Sequence, residues 1–119
     1  MSAGRENLEN LARMFACQTF SDLVKEELFV TPLAGAAGLR HYIFRVDGPS
    51  DVLPLTIRVN AILDDEERIK SEREFFALKW LDGRHAPKAF EFDVTGQLFQ
   101  GPAMCLEFVD GRMLKENDL

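Results

Sequence analysis

Two glycines three residues apart, Gly35 and Gly38, lie between two apolar runs and are the first residues that suit a binding site. Glycine has no Cβ atom, so the backbone N–H groups of such a turn can closely approach the oxygens of a phosphate. A plain hairpin turn explains the same spacing equally well, and short motifs of this kind often occur by chance. Taken alone, the local sequence favours the plain turn.

A cation and a carboxylate further along the chain are the next candidates. Arg58 alternates with three apolar residues in the predicted strand LTIRV, so its side chain points away from theirs. A planar guanidinium suits phosphate oxygens, although most arginines are simply solvated. Glu74 lies in a charged helical stretch, where a solvated helix face is the plain alternative. Its role in a site therefore depends on pairing with Arg58.

The composition limits the class of protein. The chain has 119 residues, which fits one domain, and 46% of them are hydrophobic, including ten Phe, which is enough for a packed core. The net charge is −6, and the sequence has no basic cluster, so we expect neither a nucleic acid nor an anionic membrane as partner. Cys17 and Cys105 lack metal-ligand spacing to each other and to either histidine, so we expect two reduced thiols and no metal site. No apolar run reaches the roughly 18 residues of a transmembrane helix, and the polar start does not resemble a signal peptide, so we expect a soluble, cytoplasmic protein.

The periodicity of the apolar residues predicts an α+β fold, with a five-stranded antiparallel sheet and one long helix packed on it, preceded by an N-terminal helical segment. The helices are predicted over residues 6–17, 21–28 and 64–82. The strands are predicted over residues 29–33, 41–46, 55–59, 89–94 and 103–109. The core-facing residues predicted for the long helix are Ile69, Phe75, Phe76, Ala77, Trp80 and Leu81.

The order of these elements resembles the amino-terminal lobe of a kinase, and in detail that of the aminoglycoside phosphotransferase family. Members of this family phosphorylate antibiotics, choline, sugars and other small alcohols. LAGAAGLRHYIFRV is similar to the family's glycine-loop hairpin, and LTIRV to its third strand. REFFALKWL resembles the helix that carries a pairing glutamate, and CLEFVDGRML resembles the hinge strand. The resemblance covers about residues 29–114.

This resemblance implies a nucleotide-binding site with ATP or GTP and Mg as cofactors. It implies that Gly35 and Gly38 cover the phosphates, that Arg58 meets them, and that Glu74 pairs with Arg58. It also implies that the backbone from Glu107 to Val109 meets the adenine. The chain then divides into an N-terminal helical lead-in, residues 1–28, and a kinase-like lobe, residues 29–119.

The family's catalytic loop and metal-binding aspartate belong to a second, carboxy-terminal lobe, and their motifs are absent from these 119 residues. We therefore expect the nucleotide-binding lobe of a small-molecule phosphotransferase that is inactive in isolation and has no catalytic residue of its own. The alternative is a stand-alone protein-interaction module that self-associates through the former cleft face. A homodimer through the region from Leu106 to Leu114 is expected in either case, because a second lobe would otherwise cover that surface. An unrelated α+β ligand-binding domain is the third possibility, and it requires the order of motifs to be a coincidence.

Overall fold

A five-stranded antiparallel sheet with a helix on each face is the architecture of the chain in a computed structural model, which describes residues 2–34, 41–60, 65–95, 98–99 and 101–109. The two α-helices are α1, Ser2–Thr19, and α2, Asp65–Leu81, and a 3₁₀ turn spans Lys25–Glu27. The strands are β1, Phe29–Ala34, β2, His41–Asp47, β3, Leu55–Asn60, β4, Ala89–Asp93, and β5, Ala103–Glu107. The predicted α+β class and the five antiparallel strands are confirmed.

The strands lie in the order β1-β2-β3-β5-β4, and every neighbouring pair is antiparallel. The central strand β3 is paired with β2 on one side and with β5 on the other. It is rich in β-branched residues, which pack well on a pleated surface. Because side chains alternate between the faces of a sheet, each residue of β3 belongs either to the face under α1 or to the face under α2.

The face under α1 holds the main hydrophobic core. Ala12, Phe15 and Ala16 follow helical spacing and lie on one side of α1, where they pack in one cluster with the apolar residues of β3. Leu55, Ile57 and Val59 are each at most 1% exposed. Burying a large apolar side chain of this kind stabilises a fold by about 1.5–3 kcal/mol. This face therefore supplies most of the stability.

The face under α2 has a smaller core. Phe75 stacks on Phe92 of β4 with ring centroids 5.1 Å apart, and Leu78 packs against the same cluster. The prediction that Phe76 and Trp80 face the core was wrong: they are 62% and 75% exposed, and Ile69 is 46% exposed. The helix has two apolar arcs: the arc with Phe75 meets the sheet, and the arc with Phe76 and Trp80 faces solvent.

The helix predicted over residues 21–28 was also wrong, because only the 3₁₀ turn forms there. Val24 is extended, at φ −105° and ψ 117°, which interrupts the helical path. Leu23 and Leu28 are buried in the main cluster without a helix to position them. The structure extends the first predicted helix to Ser2–Thr19. Among the described residues, no helix is long and apolar enough to cross a membrane.

Candidate ligand-binding cleft

Helix α2 covers only part of its face of the sheet. It packs on β4 through Phe75, and the cluster around that ring also contains Met104 and Leu106 of β5. The residues of β2 and β3 on this face lie beyond this contact. Helix α2 therefore covers the β4 edge of the face but not its centre. The uncovered part is the place where a ligand could reach the sheet.

Arg58 lies at the centre of this uncovered surface. Its neighbours in the sheet are Ile43 on β2 and Met104 on β5. Its guanidinium Nη2 forms an ion pair with the carboxylate of Glu74 on α2 and also donates to the Met104 sulfur at 3.5 Å. The Arg58 side chain is 30% exposed and that of Glu74 is 49% exposed. The ion pair expected from the sequence is therefore present, and both of its members keep contact with solvent.

Glu74 takes this position because of where it lies on the helix. It is next to the buried Phe75, three residues after the buried Ser71 and four before the packed Leu78. These positions place Glu74 at the edge of the packed face of α2, on the side of the uncovered strands. Its carboxylate therefore reaches across the gap between helix and sheet to Arg58.

Two clefts flank the ion pair, and both are lined by Ile43, Arg58 and Glu74. The larger cleft has a volume of about 510 Å³ and the smaller one about 270 Å³. The other residues that border the larger cleft include Thr56, Leu78, Pro87, Leu106, Glu107 and Val109. Ligand pockets for small molecules usually have volumes of about 300–1,000 Å³, so the larger cleft falls in this range.

A group of buried polar residues closes the far side of the smaller cleft. Asn60 and Ser71 are each 7% exposed, and the Asn60 amide donates to Ser71 Oγ at 3.5 Å and to Glu67 Oε2 at 3.4 Å. These bonds tie the end of β3 to α2. Neither residue was among the site residues predicted from the sequence. The spacing of Ser71 could have indicated its position. It lies four residues before Phe75 and seven before Leu78, which places its hydroxyl on the packed face of the helix.

A second cation lies on the same face of the sheet. Arg45, opposite Thr56 in the ladder, has its guanidinium carbon 4.3 Å from the centre of the Phe108 ring, a cation–π contact. Its Nε also forms an ion pair with Asp47 at 2.9 Å. This contact was not predictable from the sequence, because it depends on how β2 and the end of β5 are placed across β3.

The two hinge-strand residues that the resemblance singled out lie at the rim of the larger cleft. The backbone N–H of Glu107 donates to the Lys88 carbonyl at 2.8 Å, and its carboxylate accepts from the Lys88 N–H at 3.1 Å. Glu107 is the last residue of β5, and Val109 follows the paired part of the strand. Leu106, where the self-association was expected, is buried under α2, and residues 110–114 lie outside the described part.

Gly35 and Gly38 also lie outside the described residues. The strands on either side of them are described and paired, with Ala34 of β1 opposite Ile43 of β2. Ile43 is one of the three residues that line both clefts. Ala34, the last described residue before Gly35, is thus paired with a residue that lines both clefts.

Neither cysteine is suited to nucleophilic chemistry. Burial raises the pKa of the Cys105 thiol to about 12, although a hydrogen bond with Thr19 acts in the opposite direction. Burial, and after it the charge of Glu26, raises the pKa of Cys17. Since the thiolate is the reactive form, both residues stay largely protonated at neutral pH. Among the described residues, no three His, Cys, Asp or Glu side chains form a group that could hold a metal.

The geometry thus brings Arg58, Glu74, Glu107 and Val109 to one cleft, as cation, pairing carboxylate and two rim residues. Comparison with known proteins finds no matching family model, no matching curated protein and no matching solved structure.

Proposed function

We propose that this chain is the nucleotide-binding amino-terminal lobe of a small-molecule phosphotransferase of the aminoglycoside, choline or sugar type. The observation that carries the proposal is the ion pair between Arg58 and Glu74, which lies beside a cleft whose rim is formed by Glu107 and Val109. The family resemblance implies a pair of this kind, between a cation on the third strand and a carboxylate on the helix.

The cleft offers different chemistry at its two ends. Leu78, Pro87 and Leu106 line its wall near the rim, and an apolar wall of this kind suits a planar base. Arg58 lies at the other end, where the N–H groups that contact neither Glu74 nor Met104 could donate to phosphate oxygens. A nucleotide would then lie with its base against the rim and its phosphates beside Arg58. The resemblance assigns the covering of the phosphates to Gly35 and Gly38, which lie outside the described residues.

The ion pair gives Glu74 a positioning role in this proposal. Arginine has several rotamers, and a carboxylate that holds one nitrogen fixes the direction of the others. Met104 supports the same nitrogen from the sheet side. The guanidinium is therefore held in place before a ligand arrives, which lowers the entropy cost of binding.

Magnesium fits the described residues less well than the nucleotide does. Mg²⁺ prefers carboxylate and phosphate oxygens, and both carboxylates among the described lining residues of this cleft already have partners: Glu74 pairs with Arg58, and Glu107 accepts from the Lys88 N–H. The family resemblance assigns the metal ligands to the second lobe. We therefore expect this chain to bind ATP or GTP without transferring a phosphoryl group. Two free thiols are consistent with a cytoplasmic location.

Isothermal titration with ATP, GTP and adenosine tests the proposal. We expect ATP or GTP to bind, and Arg58→Met to weaken that binding by about tenfold, equivalent to ~1.4 kcal/mol. Adenosine binding should change much less, because adenosine has no phosphate. The matched control is Arg68→Met, which removes an exposed cation of α2 that pairs with Asp65 rather than lining the cleft.

Two results would contradict the proposal. One is the absence of binding by either nucleotide at concentrations of about 1 mM, where a weak site is still detectable. The other is an equal loss of affinity in Arg58→Met and Arg68→Met, which would show general charge attraction. Self-association that is blocked by Arg58→Met, without nucleotide binding, would instead favour the interaction module.

A further inference from the structure

Helix α2 exposes an apolar stripe on the side that faces away from the sheet. This outer stripe consists of Ile69, Phe76 and Trp80, which are between 46% and 75% exposed. Phe75 and Leu78, by contrast, point to the sheet. Large aromatic side chains rarely stay this exposed on a helix unless another surface covers them.

The spacing of the outer stripe favours a second helix as that surface. Together with Arg73, its residues follow intervals of four, three and four, which is the pattern of the seam between two packed helices. Arg73 forms none of the ion pairs found among the described residues. Its guanidinium is therefore available to lie over an aromatic ring of a partner.

The charges at the two ends of the stripe indicate which helix fits. The first turn of α2 is acidic, and Glu66 lies three residues before Ile69, on the same side. At the other end, Arg84 lies beside Trp80: its guanidinium carbon is 5.7 Å from the indole ring, and its Nη2 donates to the Trp80 carbonyl at 3.3 Å. The stripe is therefore negative at one end and positive at the other.

We propose that the outer stripe binds the outer stripe of a second copy of this chain, with the two α2 helices antiparallel. A two-fold axis between Arg73 and Phe76 brings Ile69 of each copy level with Trp80 of the other. Each Arg73 then faces Phe76 of the partner copy. Glu66 comes within one residue of the level of Arg84 at both ends, so the acidic end of each stripe meets the basic end of the other.

A parallel arrangement lacks this complementarity, because it places acidic turns together and basic ends together. The antiparallel pair also leaves the cleft open, since the outer stripe and the cleft lie on opposite sides of α2. This dimer is thus independent of nucleotide binding. It uses a different surface from the region of Leu106 to Leu114.

Sedimentation velocity over a concentration series up to about 1 mM tests the proposal, since that range covers weak dimers. Wild-type protein should show a reversible monomer–dimer equilibrium. Phe76→Ala and Trp80→Ala should each raise the dimer dissociation constant at least about tenfold, as hot-spot aromatic residues do. The matched control is Phe29→Ala, which removes an equally exposed phenylalanine from edge strand β1. It should leave the dissociation constant within about twofold.

A charge exchange tests the antiparallel register. Glu66→Arg and Arg84→Glu should each weaken the dimer, and the double variant should restore it, because the two changes exchange the signs at both ends. Thermal melts by circular dichroism verify that each variant is folded. A wild-type monomer throughout the series would overturn the proposal. So would a dimer that Phe76→Ala leaves intact, or a double variant no stronger than the singles.

Discussion

The two faces of the sheet differ in what covers them, although the same strands build both. On the face under α1, which we call the sealed face, the β3 residues Leu55, Ile57 and Val59 are at most 1% exposed. On the face under α2, which we call the open face, the alternate residues of the same strand, Thr56 and Arg58, line a cleft. One strand therefore serves as core on one side and as candidate site on the other. The sealed face holds the backbone in place, and the open face can then carry a charged group without loss of the fold.

This difference predicts a large contrast between two neighbouring residues. Ile57→Ala should lower the free energy of unfolding by about 2–5 kcal/mol, because it leaves a cavity in the sealed core. Thr56→Ala removes a side chain from the open face and should change the free energy of unfolding by about 0.5 kcal/mol or less. Urea denaturation of both variants measures the contrast. Equal losses would show that α2 seals its face as completely as α1 does.

A double-mutant cycle on Arg58→Met and Glu74→Gln sharpens the description of the open face. Both side chains keep contact with solvent, so we expect a coupling free energy of about 0.5–1 kcal/mol, at the upper end of exposed ion pairs. Removing both partners should then cost less than the sum of the single changes. Denaturant melts at low and high salt give the coupling, which should weaken with salt because the pair is solvated.

Strict additivity in this cycle would show that the ion pair has no energetic consequence. The matched control is the pair Asp65→Asn and Arg68→Met, an ion pair three residues apart on the exposed side of α2. Its coupling should be smaller than that of Arg58 and Glu74, because it lacks the support of a sheet residue such as Met104.

A pH-dependent effect is expected at the buried thiol of the sealed face. The pKa of Cys105 is raised from 9.0 to about 12, so the unfolded chain loses this proton at lower pH than the folded chain does. The stability contributed by the protonated thiol is complete below pH 9 and is lost as the pH rises towards about 12. The difference in unfolding free energy between wild type and Cys105→Ala should therefore shrink over this window. A constant difference would show that Cys105 is not isolated from solvent.

The strands were predictable because their period of two leaves little choice. Once Leu55, Ile57 and Val59 are assigned to the core, Arg58 must point to the opposite face. Turn-forming residues such as Gly48 and Pro87 then mark where the strands and the long helix end. These local signals placed Arg58 on the face opposite the core, whereas the pairing of Glu74 with Arg58 was an expectation from the family resemblance.

Helix α2 shows where the sequence is insufficient. It has two apolar arcs, and hydrophobicity alone does not distinguish the arc of Phe76 and Trp80 from that of Phe75 and Leu78. The choice depends on the partner surface, since Ala89 and Phe92 of the sheet accept the Phe75 ring. The contact of Arg45 with Phe108 was not predicted for the same reason. It joins segments that are distant in sequence, and hydrophobic periodicity does not tell which residues of two strands lie opposite each other.

Two isoleucine methyl groups, one on each face, test the central claim that only the open face binds a ligand. Ile43 lines both clefts, whereas Ile57 is buried under α1. In protein labelled at the isoleucine δ1 methyl groups, titration with ATP followed by NMR should shift the Ile43 resonance progressively to saturation. The Ile57 resonance should stay nearly unchanged, and Arg58→Met should require about ten times more ATP for the same Ile43 shift. An Ile43 resonance that does not respond to ATP, or an Ile57 resonance that moves as far, would contradict the account.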